Sequence, residues 1–172
     1  MDDPTFQQEL NRGARLLSQG KAEQAQTILE SLWKSRPGDV AIAINLGGAY
    51  ILSGQFKRAV PLLEEAVARE PEEAMAWTNL GAAYLGNPVL ASTEEQDKAI
   101  AAFERALECD PAAPHVAYNL GLIYRDRNDH DRAIHWFTRA LQANSLDADA
   151  RRILERLQQT GPTQQTLGMW KK

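Results

Sequence analysis

The chain has 172 residues, 44% of them hydrophobic and 24% charged, so it is long enough to bury a core as one domain. Residues 1–147 carry 14 Lys/Arg and 21 Asp/Glu, a net charge of −7 that argues against general nucleic-acid binding. The first residues lack the basic and apolar regions of a secretory signal, and no stretch approaches the ~18 apolar residues that span a bilayer. We therefore expect a cytoplasmic protein without a membrane partner.

Four glycines mark a tandem repeat: Gly13, Gly47, Gly81 and Gly121, spaced 34, 34 and 40 residues apart. Each is followed three residues later by a bulky residue, and then by an alanine that has another bulky residue four positions on. Both spacings fit one face of a helix. Each unit therefore predicts two helices, with a break where proline, or once Ser145, ends the second.

The third unit carries the residues that identify the repeat: Trp77, Leu80, Gly81, Tyr84, Ala99, Phe103 and Pro111. In this order they resemble the tetratricopeptide repeat signature. The resemblance implies an all-α fold, a right-handed α-solenoid of four tetratricopeptide helix pairs plus a C-terminal capping helix. The expected single domain covers residues 1–158, with repeats at about 6–39, 40–73, 74–113 and 114–147 and a cap helix at about 148–158.

The two ends of the repeat array differ from its middle. The first repeat has Glu9 and Arg12 where the third has Trp77 and Leu80, as expected of a terminal unit that faces water. Residues 159–172 predict a flexible tail. Its apolar residues Leu167, Met169 and Trp170 leave open a second hypothesis, a short motif that docks on another copy.

Six additional residues enlarge the turn of the third repeat, within residues 86–92. Two interpretations stay open, a specificity loop that presents Val89 and Leu90 or a tolerated insertion that packs on a neighbouring turn. Thr93 and Gln96 predict a capping box at the start of the following helix.

No catalytic residue, metal site or cofactor is predicted. The three histidines lack the spacing of a metal-binding set, and His130 and His135 point to different helix faces. The single Cys109 is interpreted as a packed or half-exposed residue rather than a reactive thiol. Phosphate loops and nucleophile elbows are also missing from the sequence, so we predict that the protein is not an enzyme.

The resemblance implies a concave groove lined by the first helix of each pair, in which partner peptides lie. An asparagine occurs two residues before each glycine, and these four could grip a peptide main chain or only satisfy local groups. The predicted groove residues are Leu10, Asn11, Ile44, Asn45, Thr78, Asn79, His115, Tyr118, Asn119, Arg125 and Arg152. Tyrosines and tryptophans at repeat spacing, including Trp33, Trp77 and Trp136, are predicted to be core.

The expected groove changes character along its length. It is largely apolar at first, whereas His115, Tyr118, Arg125 and Arg152 would suit an acidic or carboxylate-bearing segment. Some members of the family bind chaperone tails through a lysine, asparagine and arginine clamp. This chain has Leu10 and Ala14 at clamp positions, so that partner is disfavoured.

The sequence therefore predicts a protein–protein interaction adaptor that holds a segment of an unidentified protein partner in the groove. The alternative is a self-assembling structural scaffold that uses its C-terminal tail, because residues 148–172 carry five Lys/Arg and two Asp/Glu and could meet the acidic body of another copy. Weak self-association is expected only under this alternative.

Overall fold

The computed structural model of the protein describes residues 3–160. Within that range the chain forms nine α-helices and no strand. The helices are α1 Asp3–Ser18, α2 Ala22–Ser35, α3 Val40–Leu52, α4 Phe56–Arg69, α5 Ala74–Leu85, α6 Thr93–Cys109, α7 Val116–Asp126, α8 His130–Ala143 and α9 Ala148–Thr160. The predicted all-α fold of successive helix pairs is confirmed, while the number of complete repeats and the hand of the superhelix stay predictions.

The helices fall into two compact units, Met1–Ala113 and Pro114–Lys172. In the first unit α1 packs on α2, α3 on α4 and α5 on α6, and α3 also contacts both α1 and α5. In the second unit α7 packs on α8, and α8 packs on α9. The first helices of the first unit, α1, α3 and α5, therefore lie side by side.

The repeated glycines allow the two helices of a pair to approach closely. A Cβ added to Gly47 would lie 2.7 Å from Cδ2 of Leu63, and one added to Gly81 would lie 2.6 Å from the ring of Phe103. Leu63 and Phe103 are fully buried, so neither can move aside without disturbing the core. The repeated glycines therefore recur because each helix pair needs a residue without a side chain where its two helices meet.

The core consists of the apolar residues at repeat spacing, but the tryptophans are less buried than predicted. Trp33, Trp77 and Trp136 are half-buried. The indole Nε1 of Trp77 donates to the main-chain oxygen of Pro71 at 2.8 Å. An indole needs a partner for its N–H, and at the edge of the core it finds one while its ring covers apolar neighbours.

The insertion is followed by a capping box, one residue earlier than predicted. Ser92, and not Thr93, is the N-cap residue of α6, and its hydroxyl accepts from the main-chain nitrogen of Glu95 at 3.3 Å. In return, Oε2 of Glu95 accepts from the main-chain nitrogen of Ser92 at 2.8 Å. The prediction was wrong because a Ser-Thr pair offers two possible frames, and only the backbone selects one.

The C-terminal helix was predicted at about 148–158 and extends to Thr160. Cys109 is half-buried, and its Sγ donates to the main-chain oxygen of Pro71 at 3.6 Å. Residues 161–172, with Leu167, Met169 and Trp170, lie outside the described residues.

Candidate functional site

The candidate site is a surface on α1, α3 and α5 of the first unit, which we call the first-helix surface. It consists of Leu17 on α1, Ala41, Ile44, Asn45 and Gly48 on α3, and Asn79 on α5. Residues 41, 44, 45 and 48 share one side of α3 because they are three or four positions apart. Ala41 is exposed and the other five are half-exposed, so the surface is accessible.

Gly48 lies at the centre of the first-helix surface and is not required by packing. A Cβ placed on it would meet Cδ1 of Leu17 and Nδ2 of Asn79 at 3.8 Å, which is ordinary contact. Its neighbour Gly47 has no such room. Gly48 therefore leaves a shallow gap between Leu17 and Asn79 with room for a methyl group.

The four asparagines do not form a uniform ladder. The amide of Asn11 accepts from Gln7 at 3.1 Å, and that of Asn45 donates to the oxygen of Ala41 at 2.8 Å, both within their own helices. Asn79 instead donates to the main-chain oxygen of Ile44 on a neighbouring helix, at 3.1 Å. Equal spacing in the sequence thus yields different hydrogen-bond partners, and Asn79 joins α5 to α3.

Two predicted groove residues are core residues instead. Leu10 is only 7% exposed and Thr78 only 4%. The Thr78 hydroxyl donates to the oxygen of Ala74 in its own helix at 2.9 Å. Neither side chain offers a partner much surface, because the repeat position they share lies at the edge between the core and the groove. Ile44, at the same repeat position, remains half-exposed.

An acidic hollow of about 500 Å³ adjoins the first-helix surface and shares Ala41 and Ile44 with it. Its remaining lining residues are Gly38, Asp39, Val40, Arg69, Glu70 and Glu73. The guanidinium of Arg69 is held by Oε1 of Glu65 at 2.7 Å, so its charge is offset from outside the hollow. Asp39, Glu70 and Glu73 therefore give the hollow a negative potential.

The carboxylates of the hollow were missed by the sequence analysis. Asp39 and Glu73 are the N-cap residues of α3 and α5, where they accept from the main-chain nitrogens of Ile42 and Met75, both at 3.1 Å. An acidic residue just before a helix start is the signal that could have found them. Their shared location depends on how the two repeats stack.

The two arginines predicted for the groove of the second unit have acidic partners. Arg125 pairs with Asp126 at 2.7 Å, and Arg152 pairs with Asp149 at 2.8 Å. Burial raises the pKa of Tyr118, and the charges of Asp149 and Asp147 raise it further. The carboxylates therefore offset part of the arginine charges, and selection of an acidic segment stays a prediction.

The surroundings of His115, Asn119 and Tyr118, the other predicted groove residues of this unit, differ from one another. His115 is exposed and precedes α7 with a positive φ of 64°. Asn119 is half-buried, and its amide has no hydrogen bond among residues 3–160. Tyr118 packs edge-on against the ring of Phe137, with ring centroids 5.7 Å apart. Arg125 on α7 and Arg152 on α9 both lower the pKa of Tyr118 through their charges, so these three predicted residues lie near one another.

A second hollow, of about 420 Å³, lies beside the insertion between α4, α5 and α6. Most of its polar groups already have partners. Glu64 accepts from the hydroxyl of Tyr84 at 2.6 Å, Lys98 pairs with Glu94 at 2.8 Å, and Glu95 takes part in the capping box of α6. This hollow is therefore a weaker candidate than the first-helix surface.

The Tyr84–Glu64 pair is one of two equivalent pairs that the sequence analysis missed. Burial raises the pKa of Tyr84 to about 12, together with the hydrogen bond to Glu64 and its charge. Tyr50 donates to Glu30 at 3.0 Å in the preceding repeat. Burial raises the pKa of Glu30, but hydrogen bonds from Gln26, Tyr50 and Arg58 outweigh it, so the pKa lies below its usual value. The signal was present, since both glutamates precede their tyrosine by 20 residues.

In the part of the chain that the structure describes, no group of three or more His, Cys, Asp or Glu residues is placed to hold a metal ion. No helix in the same range is long and apolar enough to cross a membrane.

Comparison with known protein families gives two matches, both to models described as tetratricopeptide repeat, over residues 16–84 and residues 92–148. The chain belongs to the tetratricopeptide repeat family. The repeat resemblance of the sequence is thus confirmed, and tetratricopeptide repeats generally mediate contacts between proteins. No sequence among the curated proteins matches the chain.

Solved tetratricopeptide structures are similar to most of the chain. MamA 41-end from Desulfovibrio magneticus RS-1 is 28% identical, with a TM-score of 0.64, and the match covers 83% of this chain and 78% of that one. A thermophilic tetratricopeptide protein of Thermus thermophilus, TTC0263, is 19% identical with a TM-score of 0.63 and coverages of 90% and 99%. A tetratricopeptide protein from Parabacteroides merdae ATCC 43184 is 17% identical, with a TM-score of 0.68 and coverages of 91% and 59%. The last two show the fold alone.

Proposed function

We propose that the protein is a protein–protein interaction adaptor whose first-helix surface binds an extended or helical segment of a partner protein. The observation that carries the proposal is the gap at Gly48, which lies between Leu17 and Asn79 and about one helical turn along α3 from Ile44, a residue that lines the acidic hollow. A gap that packing does not require is a place where a partner's side chain can be buried.

The chemistry of the surface defines the segment that it suits. Leu17, Ala41 and Ile44 present apolar groups, and the amide of Asn45 can bond to a main chain. The adjoining hollow has three carboxylates, Asp39, Glu70 and Glu73, and its one arginine is paired. A segment with apolar side chains followed by basic ones therefore fits this surface better than an acidic segment.

A binding role also fits what the described residues offer chemically. The polar groups of the site are amides and helix-capping carboxylates, and no histidine, cysteine or hydroxyl group is positioned beside them as a nucleophile or base. We therefore infer an adaptor rather than an enzyme.

The test is a pair of substitutions at Gly48. Gly48→Leu places a branched side chain in the gap, while Gly48→Ala adds only the Cβ, which has room. Circular dichroism and thermal unfolding should show both variants folded. In a pull-down from the source cells, we expect wild type and Gly48→Ala to capture the same partner and Gly48→Leu to lose it.

The partner captured in this way is then tested as a purified protein by titration calorimetry, with Asn45→Ala as a second substitution on the same surface. We expect both Gly48→Leu and Asn45→Ala to weaken binding. Undiminished binding by a folded Gly48→Leu protein would overturn the proposed site.

A further inference from the structure

Charge is divided unequally along the chain. Residues 1–113 contain 10 Lys/Arg and 17 Asp/Glu, a net charge of −7, whereas residues 114–172 contain nine and six, a net charge of +3. The excess is sharpest at residues 161–172, which have Lys171 and Lys172 and no acidic residue. The acidic hollow belongs to the negative part, so the chain contains both members of a complementary pair.

We propose that the first-helix surface and acidic hollow of one copy bind the segment Leu167–Lys172 of a second copy. The proposal rests on the proposed function and names the occupant of the same surface. Leu167, Met169 and Trp170 supply the apolar side chains, and Lys171 and Lys172 follow them directly. The surface presents its groups in the matching order, first an apolar area with a gap and then the carboxylates of the hollow.

The dimensions of the surface are compatible with this segment. Gly48 and Ala41 are seven residues apart on α3, which corresponds to about 10 Å along the helix axis. Six residues in extended conformation span at most ~20 Å. With a side chain of the apolar group in the Gly48 gap, the two lysines reach the hollow that begins at Ala41.

Each carboxylate of the hollow remains able to accept from a lysine. Asp39 and Glu73 each accept one main-chain N–H, and a carboxylate has about four lone-pair positions. Glu70 is exposed, and its side chain has no hydrogen bond or ion pair among residues 3–160. Ion pairs between these carboxylates and the lysines would be exposed to solvent. They would therefore contribute mainly to the specificity and rate of association, while the apolar contacts supply most of the affinity.

Such a contact joins two different surfaces of the same protein. It is therefore heterologous, and each copy that is bound through its segment still has a free first-helix surface. The average mass of the assembly should then rise with concentration above the 19.1 kDa of one chain.

The experiment uses the full chain and two variants that each remove one side of the contact. Gly48→Leu blocks the surface and keeps the segment, while Leu167→Ser/Trp170→Ser keeps the surface and removes the apolar anchors. Light scattering is measured against concentration for wild type, for each variant and for their equimolar mixture. We expect assembly by wild type, 19.1 kDa for each variant alone, and a species of twice 19.1 kDa in the mixture.

The mixture must stop at two copies, because only one intact surface and one intact segment remain per pair.

A charge exchange supplies an independent check. Glu70→Lys should weaken assembly several-fold, and Lys171→Glu/Lys172→Glu should recover part of the loss when placed in the same chain. Added salt should weaken the wild-type assembly and leave the variants unchanged.

Wild type that stays monomeric at all concentrations would overturn the inference, and so would assembly that survives both variants. Failure of the two proposals can be told apart. If wild type is monomeric but Gly48→Leu still abolishes binding of a captured partner, the surface functions and only its occupant was assigned wrongly. If Gly48→Leu changes neither assembly nor capture, the proposed function fails as well.

Discussion

Nδ2 of Asn79 on α5 donates a hydrogen bond of 3.1 Å to the main-chain oxygen of Ile44 on α3. This bond joins the first helices of two successive repeats, directly beside the gap at Gly48. Asn45, one repeat earlier, bonds only to Ala41 in its own helix. Asn79 therefore contributes to the shape of the candidate site, while Asn45 is able to contribute to binding.

Substitution of the two asparagines should separate these roles. Asn79→Ala removes a bond between helices, and we expect it to be about 0.5–1 kcal/mol less stable than Asn45→Ala, in which only a bond within one helix is lost. Urea denaturation of both variants measures the difference. Equal unfolding midpoints would show that the Asn79–Ile44 bond does not stabilise the fold.

Substitution by alanine should lower the stability of the protein at Gly47 and raise it at Gly48, although the two glycines are adjacent on α3. Gly47→Ala forces a Cβ to within 2.7 Å of Leu63, and we expect a loss of about 1–3 kcal/mol from overpacking. Gly48→Ala meets nothing closer than 3.8 Å, and alanine in place of glycine favours the helix by up to ~1 kcal/mol. Thermal unfolding checks both. Destabilisation by Gly48→Ala would mean that its gap is needed for folding.

Ionisation of Tyr84 should make the stability of the protein depend on pH in the alkaline range. Its pKa is raised to about 12 in the folded protein, first by burial and then by Glu64, from an ordinary value of 10.0. A raised pKa means that the folded state holds the proton more tightly. The contribution of Tyr84 to stability is therefore fully present below pH ~10 and is lost as the pH rises through about 12.

The measurement is the free energy of unfolding in urea at a series of alkaline pH values, with tyrosinate absorbance followed in parallel. Tyr84→Phe should show a smaller decline over this window than wild type. Glu64→Gln should shift the Tyr84 titration towards its ordinary pKa. A wild-type decline that Tyr84→Phe leaves unchanged would assign the effect to another group.

The N-cap of α6 should be sensitive at Ser92. Ser92→Ala removes the hydroxyl that accepts from the main-chain nitrogen of Glu95, and we expect a loss of about 1 kcal/mol of stability. Ser92→Asp is the matched control, because aspartate can also accept from the start of a helix and should restore most of the loss. Hydrogen exchange at the first turn of α6 should report the same order. Wild-type exchange in Ser92→Ala would contradict the assigned cap.

The apolar residues of the insertion should matter little for folding. Val89 is 79% exposed and Leu90 is 78% exposed, so Val89→Ser/Leu90→Ser removes little buried area and should change stability by no more than about 0.5 kcal/mol. The same variant, tested against the captured partner, decides between a specificity loop and a tolerated insertion. Weakened binding at unchanged stability would favour the loop.

The repeat itself could be predicted because its physical cause is local and periodic. The contacts of Gly47 with Leu63 and of Gly81 with Phe103 each lie within one helix pair. A fixed spacing in the sequence therefore predicts them. The groove residues were harder to predict, since exposure at a given repeat position depends on the next repeat. Ile44 is half-exposed where Leu10 and Thr78 are buried, although all three hold the same repeat position.

By itself, the sequence determined the fold of helix pairs and the family, because small and bulky residues at a fixed period are the signature of that packing. Only the tertiary structure decided that Asn79 joins two repeats, that Asp39, Glu70 and Glu73 meet in one hollow, and that Asp126 and Asp149 offset the two arginines expected to attract an acidic partner. These relationships depend on distances between helices and on side-chain partners. A one-dimensional pattern does not specify them, and they determine the charge and shape that a partner meets.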